Sequence, residues 1–247
     1  MPGKRILILG GTGEAREIAA ILLDKGFEVI SSLAGVTAEP VLPTGALRRG
    51  GFGGAAGLAS YLREEGIAAV VDATHPFAAR MSGNAAIACQ EAGLPLLRFE
   101  RPPWQPQPGD RWTTVATVGD AAAALPAGAR ALVTIGRKEI APFLSREDVS
   151  GIVRMIEAPD AAVPPNWTAL LERPPFTLQS ERRLMADHGI TALVTKNAGG
   201  VATEAKLEAA RELAIPVILV ARPAKQAGGC FASVHELTAD LERSLSP

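Results

Sequence analysis

Residues 5–24 read RILILGGTGEAREIAAILLD. An apolar run of strand length, Arg5–Leu9, meets a turn rich in glycine and then a stretch of helical period. In that stretch, about Glu14–Lys25, the side chains Ala15, Ile18, Ala19 and Leu22 share one stripe. Gly26 supplies the stop that glycine often gives just past a helix end. Strand, glycine turn and helix open a βαβ unit, and the alternation continues. Further strands are predicted at Phe27–Leu33, Ala68–Asp72 and Leu94–Phe99. Helices are predicted over Gly57–Glu65 and from Pro76, suited to a first helical position, to about Ala92. Residues 100–112, ERPPWQPQPGDRW, break the pattern and read as a domain edge or crossover. A second half follows, with strands at Ala131–Ile135, Ile152–Ile156, Leu193–Thr195 and Val217–Ala221, and a helix over Glu204–Leu213. Pro159–Pro175 reads as irregular, and Ser233 with Glu236 fits a capping box for a last helix ending near Leu245. Such alternation predicts α/β architecture with mainly parallel sheets, in two domains that face each other across a cleft.

Composition narrows the function. The 247 residues carry 25 Lys plus Arg against 26 Asp plus Glu, which argues against a dedicated nucleic-acid binder. Aromatic residues make up 4%, too few for a platform that stacks single-stranded bases. With 47% apolar and 21% charged residues, the chain is expected to fold. The run after Lys4 and Arg5 is too short for a membrane span, and Glu14, Arg16 and Glu17 interrupt it before any cleavage-like site. Cys89 and Cys230 make neither a disulfide scaffold nor a metal pair, so a reduced, cytoplasmic setting is expected. With His75, His188 and His235 far apart, no transition-metal site is expected. Neither a G-x-S-x-G elbow nor an H-E-x-x-H pair occurs.

Three regions carry candidate chemistry. Gly10, Gly11, Thr12 and Gly13 stand where doubly wound folds hold a dinucleotide pyrophosphate against a helix N-terminus. The match to G-x-G-x-x-G is incomplete, and a tight turn without a ligand is the alternative. The second strand ends Ser31, Ser32, Leu33, with no acid to hold a ribose 2′-OH, while Arg16, Arg48 and Arg49 are near in sequence. That favours NADP over NAD. The stretch RRGGFGG, with Gly50, Gly51, Gly53 and Gly54, suits either a second approach of backbone to ligand or a plain surface loop.

The second region, VVDATHPFAARMSGN, places Asp72, Thr74, His75, Arg80, Ser82 and Asn84 at or beyond the carboxyl end of an apolar strand. Ligands bind outside such ends. Asp72 and His75 are candidates for proton handling or cofactor positioning, although capping by Thr74 or His75 explains the same residues, and for His75 it is the safer role. The third region is basic. Arg137 and Lys138 follow one strand, Arg154 lies in another, and Arg182 and Arg183 lie in TLQSERRLM. Lys196 ends a strand and is followed by Asn197, Gly199 and Gly200, a sequence suited to an anion-binding nest. Such cations suit a ligand with several carboxylates. Any single one is ordinarily surface charge, and Lys196 is the exception because it combines a strand end with a glycine turn.

The set LGGTGEA, RRGGFGG, DATHPFAARMSGNA, RFERPPW, TIGRKE, PFTLQSE and TKNAGGVATEAKLEAA resembles the precorrin-6A reductases of cobalamin biosynthesis. The resemblance runs from the first strand to about Pro223. It implies two Rossmann-like domains and NADPH-dependent reduction of a macrocycle double bond in precorrin-6A, or its cobalt form, to give precorrin-6B. On this basis residues 1–126 are the expected NADP-binding domain and 127–247 the second, with a C-terminal helix at 234–245 assignable to either. Gly10–Ala15, including Glu14, would hold the pyrophosphate. Ser32, Arg49 and Gly51 would serve the adenosine end, and Asp72–Phe77, including Thr74, would line the nicotinamide. Arg137, Lys138, Lys196, Asn197 and Gly199 would face the anionic tetrapyrrole or the cofactor phosphates. Two other classes compete: a tetrapyrrole synthase or lyase needing no nicotinamide, and a two-lobed small-ligand binding protein.

Overall fold

Two parallel sheets organise the chain in the computed structural model, which describes residues 3–34, 42–160, 162–225 and 229–245. Each sheet belongs to its own compact unit: Met1–Pro102 with Pro223–Pro247 in unit 1, and Pro103–Arg222 in unit 2.

Unit 1 begins with β1 (Arg5–Leu9), α1 (Gly13–Asp24), β2 (Glu28–Leu33), β3 (Ala46–Arg49), α2 (Ala55–Glu64), β4 (Ile67–Asp72), α3 (Ala79–Ala92) and β5 (Leu96–Phe99). The two-residue period of a strand sends alternate side chains to opposite faces. Ile6 and Ile8 therefore join Ile18 and Leu22 of α1 in one core. Leu7 and Leu9 join Leu58 and Leu62 of α2 in another. Helices on both faces explain why β1 is a continuous apolar run rather than an alternating one.

Unit 2 comprises β6 (Trp112–Val115), α4 (Val118–Ala123), β7 (Arg130–Thr134), α5 (Ala141–Leu144), β8 (Ser150–Met155), β9 (Trp167–Leu171), α6 (Leu178–Asp187), β10 (Ala192–Lys196), α7 (Ala205–Glu212) and β11 (Val217–Val220). Its strand order is β6-β11-β10-β7-β8-β9, all parallel. Glycine is required at Gly151 in β8, where a Cβ would stand 1.9 Å from the Ala131 carbonyl oxygen. The chain then returns to unit 1 with β12 (Cys230–Phe231) and α8 (Val234–Leu245). The completed unit 1 sheet has the order β12-β5-β4-β1-β2-β3.

In both sheets the order reverses beside a central strand, between β1 and β4 in unit 1 and between β7 and β10 in unit 2. Such switch points leave a crevice at the carboxyl ends of the strands.

Several expectations are corrected. The division falls at 102/103 rather than 126/127, because β6 pairs with β11 and so carries α4 into unit 2. The last helix belongs to unit 1, where Leu237 and Leu241 pack in the same core as Ile18 and Leu22. Pro159–Pro175 is not wholly irregular, since β9 adds to β8 at the sheet edge. Part of the glycine-rich stretch is β3, pairing with β2. Pro76 does not start α3. Residues 76–78 form a turn in which the Ala78 N–H donates to the His75 carbonyl (2.8 Å), and the helix opens at Ala79. Ser233 does cap the last helix, its Oγ accepting the Glu236 N–H (3.3 Å).

Candidate active site

Four strand ends build the unit 1 site. The Gly10 N–H donates to the Ser32 carbonyl (3.0 Å), fastening the turn to β2. A Cβ on Gly10 would lie 3.1 Å from the Ala15 Cβ, so glycine lets α1 pack close behind the turn. Gly11 has φ +120 with open space around its absent side chain, a backbone state that side chains disfavour. Thr12 caps α1, its Oγ1 accepting the Ala15 N–H (3.1 Å) and donating to the Ala73 carbonyl (3.0 Å). One hydroxyl thus links the turns after β1 and β4, the two strands that flank the switch point.

Glu14, in the first turn of α1, receives two hydrogen bonds from one Arg101 nitrogen at 2.9 and 3.1 Å. Burial pushes the Glu14 carboxyl up, but the Arg101 hydrogen bond and charge, with backbone and Thr12 contributions, outweigh it and hold it below the ordinary value. Glu14 is therefore a committed anion beside the turn. Sequence reading missed Arg101 as its partner because 87 residues separate them.

Ser32 lies buried near the end of β2, and Leu33 registers against Arg49 of β3. The Arg49 side chain is exposed. Arg48 is instead used internally. Its guanidinium donates to the Gly50 carbonyl (2.6 Å) and the Gly51 carbonyl (2.8 Å), and lies 3.7 Å from the Phe52 ring centroid. The segment is thereby folded back on α2, where a Cβ on Gly57 would stand 1.8 Å from the Phe52 carbonyl oxygen. Gly50, Gly51, Gly53 and Gly54 have open space where side chains would stand.

Asp72 ends β4 and is 1% exposed. Its Oδ1 accepts the Thr74 N–H (3.1 Å) and hydroxyl (2.7 Å), and its Oδ2 lies 3.5 Å from Nε of buried Arg98. That enclosure makes Asp72 a positioning group for Thr74 rather than an exposed acid. His75 is exposed, and its Nδ1 accepts the Phe77 N–H (3.3 Å). In the neutral ring the remaining proton then sits on Nε2.

In unit 2 the switch point gathers the other candidates. Arg137, Lys138 and Glu139 form a short 3-10 turn after β7, and Lys196 is the last residue of β10. Lys196 is 9% exposed and ion-pairs with Glu139, which sequence reading did not single out. Arg137 turns toward β8, donating to the Ala158 carbonyl (3.3 Å) and Asp160 (3.2 Å). Lys138 is exposed. Asn197 has a structural job: its Oδ1 accepts the Trp104 N–H (2.9 Å) and its Nδ2 donates to the Trp104 carbonyl (3.2 Å). The Trp104 indole then donates to the Gly200 carbonyl (3.2 Å), bracing the glycine turn in which Gly199 takes φ +68.

The remaining basic candidates do not join this set. Arg154 is buried against Glu181 at 2.7 Å. Arg182 pairs with Glu212 of α7, and exposed Arg183 pairs with Asp187 one turn on. Among the described residues, no group of His, Cys, Asp and Glu is arranged to hold a metal ion. No described helix is long and apolar enough to cross a membrane.

The family model for precorrin-6x reductase CbiJ/CobK matches residues 5–242. The chain belongs to the precorrin-6x reductase family. Within it, the precorrin-6A reductase of Rhodococcus erythropolis is 51% identical over 89% of both chains. That of Rhodobacter capsulatus is 48% identical over 94% of this chain and 93% of its own. The cobalt-precorrin-6A reductase of Priestia megaterium is 30% identical over 94% and 96%. A solved structure of CobK precorrin-6A reductase superposes with a TM-score of 0.93 at 45% identity, covering 98% of each chain. This family member is therefore a reductase of the α/β class with two Rossmann-like sheets.

Proposed function

We propose that this chain reduces precorrin-6A to precorrin-6B with NADPH as the hydride donor. The observation that carries the reading is identity of 45–51% to five precorrin-6A reductases along nearly the whole chain. Cobalt-precorrin-6A reductases are 25–30% identical, which favours the cobalt-free macrocycle as substrate.

The residues of unit 1 fit a dinucleotide. The open space at Gly11, Gly50 and Gly51 admits a close approach of phosphate and ribose to the backbone, as the start of α1 favours. Gly10, Gly11, Thr12, Gly13 and Ala15 would hold the pyrophosphate, with Glu14 neutralised by Arg101. Exposed Arg49 would take the 2′-phosphate beside Ser32 and Gly51. Thr74, fixed by Asp72, would meet the nicotinamide end. The nicotinamide, when bound, would supply the hydride, and exposed His75 stands at the same strand end. In unit 2, Lys138 and Lys196 would attract substrate carboxylates, while Arg137, Asn197 and Gly199 shape the turns that carry them. Positioning of the donor carbon against the acceptor does most of the catalytic work.

The test is consumption of NADPH absorbance in the presence of precorrin-6A, with NADH and cobalt-precorrin-6A as comparisons. Turnover with NADPH and the cobalt-free substrate, and at least tenfold lower efficiency with NADH, is expected on the order of magnitude a 2′-phosphate contact provides. Equal efficiency with NADH refutes the role given to Arg49. Failure to turn over precorrin-6A refutes the function.

A further inference from the structure

Lys196 and Glu139 make an unequal pair. The Lys196 side chain is 11% exposed, while the Glu139 carboxylate bonded to it is 49% exposed. A buried ammonium needs a counter-ion, because an uncompensated charge is costly to hold away from water. A carboxylate already half in water has little desolvation to regain and can leave at small cost. The two residues stand on either side of the unit 2 switch point, Glu139 in the turn after β7 and Lys196 as the last residue of β10. Glu139 stands on a short turn after Gly136 (φ +90), tied back by a Glu139 N–H to Gly136 carbonyl contact of 3.4 Å. Its neighbour Arg137 is engaged toward Glu157 and Asp160.

We propose that Glu139 is a displaceable internal counter-ion, and that the Lys196 ammonium is an oxyanion subsite that takes a carboxylate of the substrate in its place. The proposal rests on the precorrin reading for the identity of the ligand. The subsite itself is tested without turnover. Glu139 would keep Lys196 charged and oriented before binding, and would keep smaller, singly charged anions from occupying it. An oxyanion at this position has two sources, a macrocycle carboxylate or a cofactor phosphate, and the experiment separates them.

Tricarballylate, a flexible tricarboxylate, serves as the probe, alongside NADPH. Binding of each is measured by thermal stabilisation of the wild-type chain, Glu139→Gln, Lys196→Met and Lys196→Arg. Removing the internal competitor is expected to tighten tricarballylate on the order of fivefold in Glu139→Gln, the scale of a half-exposed ion pair. Lys196→Met is expected to abolish that gain, and Lys196→Arg to retain part of it, which guards against misfolding of the Met variant. NADPH affinity is expected to change less than about twofold in Glu139→Gln. Unchanged or weaker tricarballylate binding in Glu139→Gln overturns the proposal, leaving Glu139 a structural partner. Tightening of NADPH alone assigns the subsite to phosphate and overturns the carboxylate assignment. A chain that fails to reduce precorrin-6A yet shows the tricarballylate pattern keeps the subsite and loses only the ligand's identity.

Discussion

Replacing Arg101 with methionine removes the cation from Glu14 while keeping most of the side-chain volume. Glu14 and Arg101 are 24% and 19% exposed, and a single guanidinium nitrogen reaches both carboxylate oxygens. Hydrogen bonds to charged groups contribute about 1.5–3 kcal/mol each when buried. Shared between two oxygens and partly solvated, the pair is worth about 1.5 kcal/mol, or roughly 5 °C in the melting temperature of a chain this size. The effect depends on pH with a definite sign. The Glu14 carboxyl is lowered in the fold, so its stabilisation is complete above the unfolded carboxyl pKa and is lost as pH falls through the folded one. In Arg101→Met burial acts without its main opponent and pushes the carboxyl up, so acid relieves the variant. The melting gap between the two proteins is therefore widest near neutral pH, narrows as pH drops into the ordinary carboxyl range, and closes only as pH falls through the lowered folded value. Adding Glu14→Gln to Arg101→Met removes the unpaired charge and is expected to recover about half of the loss. Calorimetry across that pH range, with NADPH titration at neutral pH, is the assay. NADPH affinity is expected to fall about fivefold in Arg101→Met, because a bare carboxylate would then face the phosphates. A gap that stays constant with pH, or is absent at neutrality, refutes the account of Glu14.

Other consequences follow from the same contacts. Asn197→Ala strips two partners from the Trp104 backbone and should destabilise unit 2 by about 2 kcal/mol in urea titration. Tryptophan emission reports that unit alone, since Trp104, Trp112 and Trp167 all lie within it. Gly151→Ala drives a Cβ into the Ala131 backbone and should cost more than about 4 kcal/mol, read as red-shifted tryptophan emission or insoluble protein. Arg49→Ala should weaken NADPH about tenfold and leave NADH binding unchanged, measured by paired titrations.

The strands nearest the switch points were legible because their cores are apolar on both faces. β1, β4, β7 and β10 read as near-continuous hydrophobic runs, and glycines at their ends marked the turns. Edge elements were less legible. β6 packs few of its residues in a core, and β9 sits in a proline-rich stretch, so neither shows strong patterning. The domain boundary was missed for a related reason. The pairing of β6 with β11 joins residues about a hundred positions apart, and no local signal encodes it. The same limit applies to side chains. Sequence placed Glu14 at the start of the first helix and Asp72 and Asn197 at strand ends, but Arg101, Arg98 and Trp104, which decide what those side chains do, come from distant segments. Position at a strand end was readable, and the availability of a side chain for a ligand was not.

The return of the chain to unit 1 bears on how the protein is made. Translation delivers every residue of unit 2 before the ribosome reaches Val234, the start of α8. Leu237 and Leu241, wholly buried against the α1 side of the first sheet, thus emerge after every residue of unit 2. The first-synthesised sheet waits, one face covered only in part by α1, while the later-synthesised unit can already close. Nascent-chain order and completion order are inverted. A chain stalled or clipped before α8 would carry a finished unit 2 and, beside α1, an exposed apolar strip on unit 1, the kind of surface that chaperones and proteases engage.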